Sequence, residues 1–529
     1  MALDPSALNT VLTHAESLHA QGNLSDAETL YREILATDPN HARAIHNLGV
    51  IALRMGHSAG AEQLLRRAIV LEPDMAEAYS NLGLVLAGNG QADLAGACFA
   101  QAVELRPDYA DAWSNWAILE QSAGHGDAAI SHFRRARAAN PDNPAIAANL
   151  AAALIEGDGA VEGVALLEGL QDRLQMVPAF HFNLAKGRLQ KGDLPNSINS
   201  LRQAIALDPG SADAHHTLAH ALLAAGQLAG GWREYEWRWR AKQFRVPPRD
   251  FPIPRWTGGD LAGQRVLVWS EQGIGDKLLF AGLLPELAAQ VGAVTVEIEE
   301  RLVGLFERSF PNIRVIARRD PVDPALDPAQ FDLQAPIGDL ARYLRPILAG
   351  FRPLGAYLAA DPARTRDLRN KYRTGSEVPL IGIAWASRPP KGLSLTAFAP
   401  ILKLPGVRWV SLQYGECSAE IAEANRTLGI DIVEDRSIDA IADFDGSVAQ
   451  TAALDAVVTI QNATLYTAGG LGLPTFALTP PEPDWRWLGC DHSPWHETVR
   501  LYRQDREGPA AALARLTADV KSWLDQRPL

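Results

Sequence analysis

The chain has 529 residues, 47% of them hydrophobic and 21% charged; this is a globular composition too long for one core, so two to four domains are expected. Its formal charge of −13 excludes a nucleic-acid backbone as the main partner, since that binding relies on a basic surface. Cys98, Cys417 and Cys490 lie far apart without a C-x-x-C pair, which excludes a disulfide framework and a zinc site. The start, MALDPSALNT, has no basic segment followed by an apolar one, and no apolar run is long enough to span a bilayer. The expectation is a reduced, cytoplasmic protein.

Residues 1–240 read as a repeat array. Pro39, Pro73, Pro107 and Pro141 recur every 34 residues, and Pro209 follows two periods later; this is the period of tetratricopeptide (TPR) helix pairs. One unit is clear in 76–107, with Tyr79, Leu82, Gly83, Gly90, Ala95, Phe99, Ala102 and Pro107. Small residues stand where two helices approach closely, and proline ends the second helix because it cannot continue the hydrogen-bond ladder. The unit at 144–175 is degenerate, with Gln175 at the proline position, and seven units are counted in all. Asn47, Asn81, Asn115, Asn149 and Asn183 hold one position on the first helix of five successive units, with Thr13 and Thr217 at the ends. An amide offers a donor and an acceptor, and concave solenoid faces are binding surfaces, so this ladder is a candidate site for the backbone of an extended acceptor peptide. The alternative is that asparagine is a consensus choice at this position.

GWREYEWRW (231–239) closes the array, and a connector, 241–262, contains PPRDFPIPRW. Beyond it, apolar runs at 266–269, 294–298, 313–316, 381–385, 407–412, 456–460 and 474–478 alternate with helical stretches at 277–290, 300–308, 396–403, 418–428, 448–454, 464–471 and 508–526. This is the pattern of parallel βαβ units. A charged break at 362–379 separates a lobe at 263–365 from a second at 378–505, followed by a C-terminal helix within 506–529. A cleft beyond the strand carboxyl ends is the default ligand site. Familiar nucleotide motifs fail here. Gly273-x-Gly275 lacks the third glycine of a dinucleotide fingerprint, and Lys277 is not in a P-loop. Neither G-x-S-x-G nor H-E-x-x-H occurs.

The stretches WSEQGIGDKLLFAGLLPEL (269–287), IGIAWAS (381–387), PGVRWVSLQYG (405–415), TIQNATLYTAGGLGLPT (459–475) and PDWRWLGCDHSPWHETVRLYRQ (483–504), together with 231–239, resemble bacterial TPR proteins with a C-terminal GT-B glycosyltransferase domain. That domain is similar to the ADP-heptose–lipopolysaccharide heptosyltransferases. The arrangement also resembles protein O-GlcNAc transferase and bacterial flagellin glycosyltransferases. The resemblance implies a TPR superhelix followed by two Rossmann-like lobes, a nucleotide-sugar donor, and an acceptor protein gripped by the repeats. CMP-activated nonulosonic acids are among the candidate donors and flagellin is the first candidate acceptor. No metal and no resident cofactor are implied.

Carried onto this chain, the resemblance makes Asp276 the base of an inverting transfer, aimed into the cleft by a sharp glycine turn. The bland reading is an N-cap for a helix starting at Lys277. The sugar nucleotide falls to the second lobe, at Ser387, Arg388, Lys391, Ser394, Gln413, Gln461, Asn462, Thr464, Gly469 and Gly470, each with an ordinary loop, cap or packing role as its alternative. Departures are Asn462-Ala463 where many relatives have Asp-Thr, Tyr466 where they have His, and a short 386–394 loop with Leu393-Ser394. His492 and His496 read as buried or hydrogen-bonded histidines, and Trp485 and Trp487 as packing residues. Two other functions stay open: a glycosyltransferase acting on a saccharide or lipid acceptor, and a TPR scaffold with an inactive enzyme half.

Overall fold

The computed structural model describes residues 5–244, 246–373, 375, 377–387 and 392–526. The chain divides into two compact units, 1–191 and 192–529.

The first unit is all helical. Pro5–Ala20 packs on Leu24–Thr37, Ala42–Arg54 on Ser58–Leu71, Ala76–Gly88 on Ala92–Leu105, and Ala110–Ser122 on Gly126–Ala139. Each second helix stops two residues before Pro39, Pro73, Pro107 or Pro141. Between the helices of each pair the chain turns through a left-handed glycine: Gly22, Gly56, Gly90 and Gly124 have φ of 82°, 78°, 76° and 83°, a region that side chains with a Cβ avoid. Large and small residues interlock across each pair. A Cβ on Gly83 would lie 2.7 Å from the Phe99 ring, and Phe99 and its period-mate Phe133 are fully buried. The degenerate unit keeps its first helix, Pro144–Glu156, but its second is cut to Ala160–Glu168 and a short Gln171–Leu174. Pro178–Gln190 follows.

The second unit starts with the remaining repeat helices, Leu194–Leu207, Ala212–Ala224 and Leu228–Tyr235, which run into a 3-10 turn at Glu236–Arg240. Compactness thus divides the chain at 191/192, well before the repeats end near 240. Two all-parallel sheets follow. The first holds β1 (Arg265–Trp269), β2 (Ala293–Ile298), β3 (Arg314–Ala317) and β4 (Leu333–Pro336) in the order β3-β2-β1-β4. The second holds β5 (Leu380–Ala384), β6 (Arg408–Ser411), β7 (Ile432–Val433), β8 (Ala456–Ile460), β9 (Thr475–Thr479) and β10 (Val499–Arg503), in the order β10-β9-β8-β5-β6-β7. β5 and β8 are fully buried, which is why parallel strands read as continuous apolar runs. β4, β7 and β10 were not among the expected strands. The expected break at 362–379 contains a helix, Pro362–Arg373, packed on Phe444–Ala452. The expected helix 277–290 is two pieces, Ile274–Ala281 and Leu284–Ala288. The C-terminal helix is Ala510–Asp525.

Repeat and α/β elements of this unit share one core. Trp232 and Tyr235 pack around Trp485 with ring centroids 6.4 and 5.7 Å away. Arg238, 0% exposed, donates from Nη2 to Glu271 at 2.9 Å and Asp339 at 2.7 Å. Arg255 of the connector adds pairs to Asp339 and Glu236. Charges this deep persist because each is paired and hydrogen-bonded.

Candidate functional site

A cleft of about 970 Å³ opens between the two sheets of the second unit. Its wall is built from segments that leave the carboxyl ends of parallel strands. Gln272–Lys277 follow β1, Glu299 and Arg301 follow β2, Ser387 follows β5, Leu412 and Tyr414 lie at the end of β6, and Ala463 and Thr464 follow β8. β5 and β8 are adjacent and their connections leave to opposite sides, the switch point at which open α/β sheets hold ligands. Phe444, Ser447, Gln450 and Thr451 line the cleft from one further helix. Among the described residues the charged side chains of this lining, Asp276, Lys277, Glu299 and Arg301, come from the first lobe. Lys277 is paired with Glu299; burial pulls its ammonium below its usual pKa against the pull of that carboxylate.

The turn bearing Asp276 is built differently from the expectation. The residue in the left-handed region is Gln272, with φ 65°, rather than either glycine. Its amide donates to the Tyr235 hydroxyl at 2.6 Å, so a repeat-array residue holds the bend. The helix begins at Ile274 with Gly273 as its N-cap, which puts Asp276 in the first turn and removes the reading of Asp276 as cap. Gly275 serves contact: a Cβ there would lie 2.8 Å from the Tyr466 ring, where the helices Ile274–Ala281 and Ala463–Gly470 meet.

Asp276 is tied to the opposite lobe. Arg486 Nε donates to Asp276 Oδ1 at 2.8 Å. Arg486 Nη1 reaches Asp484 Oδ2 at 3.1 Å, and Gln461 Nε2 donates to the same oxygen at 2.7 Å. Trp487 Nε1 donates to Gln461 Oε1 at 3.3 Å. Burial pushes the Asp484 carboxyl up, but the Arg486 guanidinium and the bonds it accepts hold it below its usual pKa. Asp276 Oδ2 accepts no hydrogen bond among the described residues, and Asp276 lines the cleft with 14% of its side chain exposed.

The structure brings Asp276, Ser387 and Thr464 to the cleft, with Tyr414 donating to Ser387 Oγ at 3.1 Å. Arg388 and Lys391 lie outside the described residues. Several expected ligand residues are engaged elsewhere. Gln413 Oε1 accepts from the backbone N–H of Trp385 and Ala386, and its amide nitrogen donates to the Ala386 and Tyr414 carbonyls. Asn462 is the buried N-cap of Ala463–Gly470, accepting from Thr464 N at 3.0 Å. Gln461 holds Asp484, and Ser394 is exposed and shares a bond with Thr396. Gly469 and Gly470 are buried at the far end of that helix, where a Cβ would meet His496 at 2.8 Å or Leu358 at 2.6 Å. They are packing glycines, not cleft residues. His496 is buried, with its pKa lowered by that burial to about 3, and lies 3.0 Å from the Tyr357 hydroxyl; His492 is exposed. Trp485 and Trp487 are buried packing residues. The residues the sequence reading missed are Asp484, Arg486 and the 444–451 wall. The signal for the first two was a charged pair set among tryptophans in PDWRW. Among the described residues no group of three or more His, Cys, Asp or Glu is placed to hold a metal ion, and no helix is long and apolar enough to cross a membrane.

In the first unit the asparagine ladder is half-buried throughout. Asn47 Nδ2 donates to the Tyr31 hydroxyl at 3.1 Å, and Asn81 Nδ2 lies 3.0 Å from His46 Nε2. Asn115, Asn149 and Asn183 have no side-chain hydrogen bond among the described residues. The ladder therefore splits into an internally bonded start and an open continuation. Beside it, one turn on, Leu84 and Ile118 are exposed at 37% and 45%.

Comparison with known proteins places the first half. Tetratricopeptide repeat profiles match residues 18–83 and 76–109, and a TPR repeat profile matches 188–226. The chain carries a TPR solenoid followed by a domain of parallel-strand sheets. Protein FlbA of Caulobacter vibrioides is 34% identical over 376 residues, which are 66% of this chain and 62% of FlbA, so the match spans less than two thirds of that relative. Among solved structures, Pseudomonas aeruginosa PilF matches with TM-score 0.38 at 18% identity, over 40% of this chain and 97% of that one. YrrB, a TPR protein with an unusual peptide-binding site, matches with TM-score 0.32 at 15% identity, over 35% of this chain and 96% of its own.

Proposed function

We propose that the protein is an inverting glycosyltransferase of GT-B type that moves a sugar from a nucleotide donor to a serine or threonine of an acceptor protein recruited by the repeats. The observation that carries this reading is Asp276: a carboxylate in an interlobe cleft, held through Oδ1, with Oδ2 unbonded among the described residues. In the reaction, the acceptor hydroxyl oxygen bonds to the anomeric carbon while Asp276 takes its proton. The anomeric carbon–phosphate oxygen bond breaks, and its electron pair leaves with the nucleotide phosphate. One base suffices, because the leaving phosphate needs charge stabilisation more than protonation. The positive dipole ends at the starts of Ile274–Ala281 and Ala463–Gly470 favour a phosphate in the cleft. The resemblance of the strand-end stretches to the heptosyltransferases supports the same chemistry. CMP-activated nonulosonic acids are the first donors to try and flagellin the first acceptor.

The test mixes purified protein with CMP-, UDP-, GDP- and ADP-sugars and a lysate from cells unable to make the modification, then measures intact protein masses. A sugar-sized gain on one acceptor is expected. The absence of donor binding, hydrolysis and transfer for every nucleotide class would leave a TPR scaffold instead, and a gain only on saccharide or lipid would move the acceptor class.

A further inference from the structure

We infer that Arg486 is a positioning residue for Asp276: the second lobe fixes the base of the first, and the fix runs through one guanidinium. The inference rests on the glycosyltransferase reading above. An aspartate in a helix first turn has two rotatable bonds, and a base has to meet the acceptor hydroxyl within hydrogen-bond reach. Arg486 removes that freedom. Its Nε holds Asp276 Oδ1 at 2.8 Å, across 210 residues of sequence. The guanidinium is in turn held at its far side by both Asp484 oxygens, at 3.2 and 3.1 Å. Asp484 also accepts from Arg486 N at 2.8 Å, closing a ring around the arginine. Gln461 fixes the remaining direction of Asp484 at 2.7 Å. Arg486 lies 4.6 Å from the Trp485 ring centroid, and its carbonyl accepts from Trp495 Nε1 at 2.6 Å.

Two details separate positioning from simple cross-lobe adhesion. Among the described residues one carboxylate oxygen of Asp276, Oδ1, is engaged, which leaves the other at the cleft. Among the described residues the cleft lining includes Asp276 and not Arg486, and the guanidinium is taken up by Asp276 and Asp484, so it acts on the reaction through Asp276. A planar fork is required, because Nε must face one carboxylate while Nη1 faces another; a lysine reaches one of them at a time.

The test measures kcat and donor KM in the full chain for the unaltered protein, Arg486→Ala and Arg486→Lys, with circular dichroism as the fold check. Arg486→Ala is expected to lose about a hundredfold in kcat, the scale of an ångström-sized misplacement, while KM changes by less than about threefold. Guanidinium ion at millimolar concentration is expected to recover part of the lost kcat, and Arg486→Lys to fall between. A folded Arg486→Ala with unchanged kcat, with a raised KM alone, or with no guanidinium recovery would overturn the assignment. Should Arg486→Ala fail to fold, Asp484→Asn loosens the far end of the arginine; a roughly tenfold fall in kcat at constant KM is expected there, and an unchanged kcat overturns the assignment equally. If the unaltered protein transfers no sugar, the glycosyltransferase reading fails first and takes this inference with it. If it transfers and the variants match it, the positioning role alone fails.

Discussion

Residues 1–191 and 192–529 both carry exposed ion pairs, and the second unit adds pairs that are buried outright. In the repeats, ion pairs such as Arg134–Glu162 and Arg106–Glu77 sit in solvent, with side chains 39–56% exposed. In the second unit, Arg238, Glu271 and Asp339 are at most 2% exposed and bind one another, and Arg486 joins Asp276 to Asp484. A repeat unit is stabilised by apolar interlocking with its neighbours and its charges are surface dressing. The α/β unit joins distant segments around a cleft, and there the pairs locate backbone turns. Glu271 adjoins Gln272, the bend that leads to Asp276. Charge in one region keeps a solvated surface; in the other it also fixes the carboxylate proposed as the base.

The largest effect that would sharpen this contrast comes from Arg238→Ala. Leaving Glu271 buried without its guanidinium, and Asp339 with Arg255 alone, should cost about 3–5 kcal/mol in urea unfolding, whereas Arg134→Ala should cost less than about 1 kcal/mol; equal costs would break the comparison. Acid comes next. Burial lowers His496 to about 3 and, together with the Arg238 charge, lowers His216 to about 4, from 6.5. Above pH 6.5 both are neutral folded or unfolded. Below it the unfolded chain takes up protons that the folded chain does not, so stability falls as pH falls, by about 1.4 kcal/mol per unit for each histidine. By pH 4.5 hydrogen exchange should show the second unit opening before the first, whose buried His46 is partly compensated by its bond to Asn47. The reverse order would contradict the burial difference.

Smaller effects separate stability from function. Gly275→Ala and Gly83→Ala each drive a methyl into an aromatic ring and should each cost about 1–3 kcal/mol. Only Gly275→Ala, beside Asp276, should also lower transfer, and equal transfer in both would detach the turn from catalysis. Smallest in stability is the replacement of Asn81, Asn115 and Asn149 together by alanine. Half-buried amides, of which Asn81 alone has an internal partner (His46) among the described residues, should change stability by only about 1 kcal/mol in sum while protein-acceptor use falls and donor hydrolysis stays. Unchanged acceptor use in a mass-spectrometric assay would remove the ladder from recognition.

How legible all this was follows the same divide. The repeats announce themselves because each unit is a local solution written again 34 residues later, down to the left-handed glycines. Strands β1, β2, β5, β8 and β9 were visible as apolar runs because both faces are covered. β4 was not: Gln334 and Pro336 break its apolar run, and Gln334 is buried only because its Oε1 takes the Trp269 indole N–H and its Nε2 the Ile253 carbonyl. At the site, residues following strand ends could be named, but their partners could not. Gln413, Asn462 and Gln461 read as free polar groups, whereas nearby backbone and side chains use each of them. The Arg486–Asp276 contact joins two stretches that carried separate motifs, and no local pattern announces a bond across 210 residues.

The central claim is that Asp276 takes the acceptor's proton, and Asp276→Asn tests it most directly. The amide keeps the size of the side chain and an oxygen that Arg486 Nε can still meet, so fold and donor binding should persist. Initial transfer rates measured on the unaltered protein and Asp276→Asn, with the same donor and acceptor, should differ by about a hundredfold to ten-thousandfold at similar donor affinity. Transfer at the unaltered rate by a folded Asp276→Asn protein would contradict the account.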